Sequence, residues 1–424
     1  MGSFMCRKTA LVFFSPGPFA AASRRMLALM SAFMLAGCFF MLTGCGPAMT
    51  RPPRDRAGLE KLRATEDEQT GETNRKILGR LIECTKAEYD RRAAAGQPPI
   101  IDILIISGGG DWGAFGAGFL KGWKKVSSQD PLAMPEFDAV TGVSTGTLIA
   151  PFAFLGDQKS IDEMVNLYRN PGADWVKERG FLYFLPNNIS LAEVPGLERE
   201  IRNHINMDKL RQIAKAGADG RLLAVNTTNL DLGQSRVFDL VTEAQHAIDS
   251  GDVDRIHNIM LASAGIPGIF PFRIIDDQMH VDGAVTGNII YGGRIAEEDS
   301  LPAQWQKAYP NLPIPKFRYW VIFNNQFRPV PEVVAPNWVA AIRRSLETSS
   351  RAATATAVRH LFAMAEISRL KRKADVEVRV VSIPSDWFPP VPGTFKKETM
   401  DNLVDLGEKM GADTSSWSNE PPSF

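Results

Sequence analysis

The chain has 424 residues, 44% hydrophobic and 23% charged, the profile of a packed core and not of a disordered polymer. That length accommodates one large domain with appendages, or two domains. Lys and Arg (48) balance Asp and Glu (48), which leaves no electrostatic footprint for nucleic acid.

The first segment reads as targeting sequence and not as fold. Arg24-Arg25 precede an apolar run over 26–35, a positive n-region followed by an h-region. Leu35-Ala36-Gly37-Cys38 and Leu42-Thr43-Gly44-Cys45 follow, and both resemble the lipobox of bacterial lipoprotein signal peptides, whose cysteine is lipidated and becomes the new first residue. Cys45 is favoured, because Cys38 is still followed by apolar Phe39-Phe40-Met41-Leu42. The alternative is an uncleaved anchor, since residues 26–42 are just long enough to span a bilayer. Either way the chain is expected to be tethered to a membrane in the bacterial cell envelope, at the outer membrane or periplasmic face. Processing at Cys45 removes Arg7, Lys8, Arg24 and Arg25 and no acid, leaving a mild acidic excess. Of Cys6, Cys38, Cys45 and Cys84 it leaves the last two, and with Cys45 acylated no internal disulfide can form.

Residues 46–68, rich in Pro, Arg, Thr, Asp and Glu, read as part of a tether spanning 45–76. Ile77-Leu78, Leu81-Ile82 and Tyr89 then recur at helical spacing until Gly96-Gln97-Pro98-Pro99. The run 100–106 is nearly continuous and β-branched, as in a strand buried on both faces. After the glycine-rich stretch 107–113, Phe115, Phe119, Trp123 and Val126 form one helical stripe. A short strand at 137–140 leads through Gly142-Val143-Ser144-Thr145-Gly146 into an apolar helix. Further strands are predicted at 222–227, 279–282, 317–324 and 376–383, with helices at 256–262, 338–373 and 396–410, the last closed by Gly411. Strands alternating with helices predict a three-layer α/β/α core with a mostly parallel sheet.

Two glycine motifs carry chemistry. Gly142-Val143-Ser144-Thr145-Gly146 is a G-x-S-x-G pentapeptide between strand and helix, the setting of a nucleophile elbow. Gly108, Gly110 and Gly113 match G-x-G-x-x-G, which serves either a dinucleotide pyrophosphate or an oxyanion hole of backbone N–H groups at a helix start. A dinucleotide site wants an acid at the end of the next strand, and here that strand runs into Ser144 instead. The oxyanion reading explains both motifs with one reaction. The serine needs a base. Five histidines are available, His204, His246, His257, His280 and His360. A Ser–acid–His order would use His360, which sits mid-helix. Asp282, ending His280-Val281-Asp282 before Gly283-Ala284, stands at a strand-to-turn junction and is the better base, although Asp-Gly is also an ordinary turn dipeptide.

In this order, Gly108-Gly109-Gly110-Asp111-Trp112-Gly113, then Gly142 to Gly146, then Asp282-Gly283-Ala284 resemble the patatin-like phospholipases. The stretches Asn226-Thr227-Thr228-Asn229-Leu230-Asp231-Leu232-Gly233 and Ala262-Ser263-Ala264-Gly265-Ile266-Pro267 are similar too, so the likeness runs from about residue 101 to 288. It implies a Ser–Asp dyad of Ser144 and Asp282 without histidine, in a fold related to the α/β-hydrolases. Gly109 and Gly110 would hold the oxyanion, with Gly108 and Gly113 shaping the loop. It further implies a catalytic domain over 77–395 followed by a C-terminal helix and tail over 396–424, with lipid or phospholipid esters as substrate and neither metal nor cofactor. One departure stands out: Trp112 occupies a place where the family commonly has Arg or Lys. The competing readings are a non-catalytic lipid-binding or scaffold lipoprotein and a dinucleotide-dependent oxidoreductase.

Overall fold

The computed structural model describes residues 51, 55–180, 189–292 and 296–423. The targeting segment, Cys38, Cys45 and the apolar run 181–186 lie outside the described residues. Among those residues, no helix is long and apolar enough to cross a membrane.

Helix α1, Arg56–Ala94, starts well before Ile77, so the described part of the expected tether is helical. Asp55 caps it, accepting from the Gly58 N–H at 2.8 Å, and the i,i+4 pairs Arg56–Glu60 and Glu72–Lys76 support its early turns. Those turns are mostly exposed, which is why they show no apolar period. Glu66 is the buried exception, accepting from Gln278.

The main sheet contains β1 (Ile100–Ile106), β2 (Ala139–Val143), β5 (Leu222–Asn229), β6 (Gln234–Asp239), β7 (Arg273–Ile275), β8 (Gln278–Asp282), β9 (Lys316–Phe323) and β10 (Val376–Ser382). A separate two-stranded ribbon pairs β3 (Lys177–Glu178) with β4 (Ala192–Glu193). The main order is β10-β9-β1-β2-β5-β8-β7, with β6 also on β5. Strands β10, β9, β1, β2 and β5 run parallel, whereas β6, β7 and β8 join antiparallel. The hairpin from β7 to β8 turns at Asp276 and Asp277, both at positive φ.

Strand β1 is buried on both faces. Leu104 and Ile106 pack with α2 (Gly113–Trp123), α3 (Thr145–Leu155), α4 (Gln158–Arg169), α8 (Asp254–Ser263) and α11 (Lys397–Gly411). Ile101, Ile103 and Ile105 pack on the other side with α1, α9 (Leu301–Ala308) and α10 (Trp338–Arg372). This is the three-layer sandwich expected from the alternation of strands and helices. The remaining helices are α5 (Pro195–His204), α6 (Met207–Ala216) and α7 (Leu240–Ser250).

The C-terminal helix α11 is no loose appendage. It crosses α2 with backbone against backbone: side chains at Gly118 or Gly122 would collide with carbonyls of Val404 and Glu408, and side chains at Gly407 or Gly411 with those of Phe115 and Phe119. Gly411 therefore serves this close approach, and the cap expected of it falls to Ala412.

Candidate active site

The central strand β5 brings the two candidate residues together. Along one edge it pairs first with β2, ending at Val143↔Asn226, and then with β8, beginning at Thr227↔Asp282. Val143 and Asp282 thus occupy consecutive places along the same edge, and Ser144 is the next residue after Val143. A pairing pattern, and no sequence proximity, sets the serine beside the carboxylate.

Ser144 has φ 55° and ψ −124°, a strained conformation for a residue with a Cβ, and it lifts the side chain off the strand at the start of α3. Two close approaches permit this: a Cβ at Gly142 would strike the Gly146 carbonyl, and one at Gly146 would strike that of Ile106. The Ser144 N–H donates to Ser263 Oγ at 3.1 Å. Ser263 Oγ in turn donates to the Asn226 carbonyl at 2.7 Å and shares a 2.6 Å hydrogen bond with the Thr147 hydroxyl. Ser263 fixes the elbow from 119 residues away. Ser263→Ala, which strands the buried Ser144 N–H, is expected to cost roughly 1–3 kcal/mol of stability. It should also lower kcat more than it changes KM, measured by thermal unfolding and ester kinetics; unchanged values of both would contradict this role.

The pairing on β5 sets Ser144 next to Asp282, and the Ser144 hydroxyl acts on the Asp282 carboxyl, helping to hold its pKa down. Asp282 is 3% exposed. Burial pushes its pKa up to about 7, against the pull of the Ala284 N–H, which donates at 2.8 Å, and of the Ser144 hydroxyl. Asn226 braces the turn behind it, donating to the Gly283 and Gly287 carbonyls at 3.0 and 3.2 Å. The histidines are occupied elsewhere: His204 with Glu163, His257 with the Ile205 carbonyl, His280 with Thr227 and His360 with Tyr291, while His246 stands on the surface beside Glu243.

The glycine loop closes over the same point. A Cβ at Gly108 would sit 2.8 Å from that of Ser144, so only glycine lets the loop approach. The Gly108 N–H is committed to Asn288 Oδ1 at 2.8 Å, and the Gly113 N–H turns back to the Gly110 carbonyl. The N–H groups of Gly109 and Gly110 find no acceptor among the described residues. Gly110 adopts φ +60°. Asn324, at the end of β9, pins the loop by donating from its N–H to Ser107 Oγ and from Nδ2 to the Ser107 carbonyl, both at 2.9 Å.

Trp112, the departure from the loop pattern, and its neighbour Asp111 both have partners. Trp112 meets Trp387 edge-on at 5.1 Å between ring centroids. Asp111 accepts from the Phe395 N–H at 2.8 Å, and burial pushes its pKa up to about 6.

Ser144 itself is 5% exposed. A cavity of about 40 Å³, lined by Leu148, Phe152, Met164, Tyr168, Trp175 and Met260 among others, lies against the helix that follows it. That holds about three waters, so an acyl chain entering there must displace side chains. Among the described residues, no cluster of three His, Cys, Asp or Glu side chains is arranged to hold a metal ion.

The family model for patatin-like phospholipases matches residues 104–292. Among solved structures the chain is similar to VipD from Legionella pneumophila, with 12% identity, 75% of this chain and 67% of that chain covered, and a TM-score of 0.35. No curated protein matches the chain. The matched segment spans the glycine loop, the elbow and the Asp282 turn, and residues 104–292 are a domain of the patatin-like phospholipase family.

Proposed function

We propose that the protein is a serine lipid acyl hydrolase of the phospholipase A, lysophospholipase or esterase type, working with a Ser–Asp dyad and no cofactor. Asp282 takes the hydroxyl proton as Ser144 Oγ attacks an ester carbonyl. The N–H groups of Gly109 and Gly110 receive the developing oxyanion at the start of α2, where the helix dipole adds to them. The tetrahedral intermediate expels the alcohol or lysolipid, which takes up the proton from Asp282, and leaves an acyl-Ser144 ester. Water, losing its proton to Asp282, attacks that ester; the fatty acid departs as the proton returns to Ser144.

The observation that carries this reading is the placing of Ser144 beside a buried carboxylate whose pKa burial pushes up to about 7. An aspartate of ordinary pKa is too weak a base at neutral pH; burial brings it close to the operating range. The two unpartnered loop amides supply the second element of the reaction. No carboxylate ends β2, which counts against the dinucleotide alternative.

The substrate is a lipid ester, and the Cys45 lipid anchor would hold the enzyme at a membrane of the cell envelope, next to it. The test is fatty-acid release from phospholipid and neutral ester by purified protein. Saturable release is expected; no release from any ester would favour a non-catalytic lipid-binding scaffold.

A further inference from the structure

The glycine loop is held from a helix outside the family-matched segment 104–292. Asn288 follows the turn that begins at Asp282 and that Asn226 braces at the Gly287 carbonyl. It is buried and makes two hydrogen bonds: Oδ1 accepts from the Gly108 N–H at 2.8 Å, and Nδ2 donates to the Thr354 hydroxyl at 3.0 Å. Thr354 lies on α10, fully buried, and its hydroxyl donates at 2.7 Å to the Ser350 carbonyl one turn back.

A threonine hydroxyl has one proton to give, so with that proton on Ser350 it can only accept from Asn288. The Gly108 N–H can only donate. Together the two ends leave the Asn288 amide one orientation, its NH2 toward α10 and its carbonyl toward the loop. That carbonyl oxygen also crowds the nucleophile: the point a Gly108 Cβ would occupy is 2.5 Å from Asn288 Oδ1 and 2.8 Å from Ser144 Cβ. With the Gly108 N–H turned to Asn288, the N–H groups of Gly109 and Gly110 are left free among the described residues. An uncharged amide suits this place, since a carboxylate would set a second negative charge beside Ser144 and the oxyanion. We infer that Thr354 and Asn288 are positioning residues, a hydrogen-bond relay from α10 that fixes the Gly108 peptide so that the Gly109 and Gly110 N–H groups face the oxyanion.

The inference rests on the hydrolase reading, and its test carries one readout that needs no turnover. Wild type, Thr354→Val, Thr354→Ser and Asn288→Ala are compared in hydrolysis of a soluble 4-nitrophenyl ester, well below each variant's unfolding midpoint. Hydrogen exchange of the Gly108 amide is followed in parallel by NMR of glycine-labelled protein. Thr354→Val keeps the side-chain shape and removes the acceptor. It is expected to lower kcat roughly tenfold, and Asn288→Ala about 10–100-fold, short of the 10²–10³ that follows outright loss of an oxyanion donor. KM should stay within about twofold, because the relay acts on the transition state. Thr354→Ser keeps the hydroxyl and should recover most of kcat. Exchange at Gly108 should quicken at least tenfold in Thr354→Val and Asn288→Ala and not in Thr354→Ser.

Unchanged kcat in both variants, a loss carried by KM, or a serine variant as slow as the valine one would overturn the proposal. Unchanged exchange at Gly108 would overturn it whatever the activity. If wild type hydrolyses no ester while Gly108 exchange still depends on Thr354, the hydrolase reading fails and the hold of α10 on the loop stands.

Discussion

At pH 8, Asp282→Asn is expected to lower esterase kcat/KM by about 10³-fold or more and, at the same time, to raise the midpoint of thermal unfolding. The first effect follows from removing the base: an amide cannot take the Ser144 proton. The second follows from burial. Asp282 titrates near 7 in the folded protein, against about 3.9 for an exposed aspartate. A carboxyl whose folded pKa is raised favours the native state while it is protonated, below about pH 4. That contribution is lost progressively as pH rises from about 4 to 7. At pH 8 the buried carboxylate carries the whole desolvation cost, on the order of a few kcal/mol, and a neutral asparagine avoids it. Asparagine Oδ1 can still accept the Ala284 N–H, so the turn is kept. The stabilisation should therefore be large at pH 8 and small at pH 4. Retained turnover in this variant, or destabilisation at pH 8, would contradict the role assigned to Asp282.

Ser144→Ala is expected to reduce kcat/KM by about 10⁵-fold or more, leaving the fold intact. Alanine has the same Cβ and must hold the same φ of 55°, so the backbone strain is unaltered. Ser144→Gly would remove that strain, and a gain of about 1 kcal/mol in stability is expected alongside an equal loss of activity. Measuring unfolding of both variants separates the hydroxyl's chemical role from the cost of holding it at the elbow. A glycine variant no more stable than the alanine variant would contradict the strain argument.

The candidate site was legible in the sequence wherever its signal is local. A serine between two glycines after a strand needs the elbow's backbone, and Asp282-Gly283-Ala284 marks a turn at a strand end. The α/β/α layering followed from alternating periods. What escaped were relations between distant segments. No pattern announced that β8 would run antiparallel and continue the edge of β5 that β2 leaves. Asn288 meets Gly108 across 180 residues, and Asn324 and Ser107 across 217. Ser263 and Asn226 lie inside stretches that share the family likeness, and their roles rest on hydrogen bonds between distant segments that no local pattern encodes. The early turns of α1 leave no helical signal in the sequence, because an exposed helix stabilised by charge pairs lacks an apolar stripe. Gly411 is ambiguous in sequence, because a cap and a helix crossing both call for glycine.

The most direct measurement is the pH dependence of covalent labelling by a fluorophosphonate, with the modified residue mapped by peptide mass. The expected result is a single adduct on Ser144 whose rate of formation climbs through one ionisation near pH 7 and collapses in Asp282→Asn. An adduct on a different residue, or a rate indifferent to loss of the Asp282 carboxylate, would contradict it.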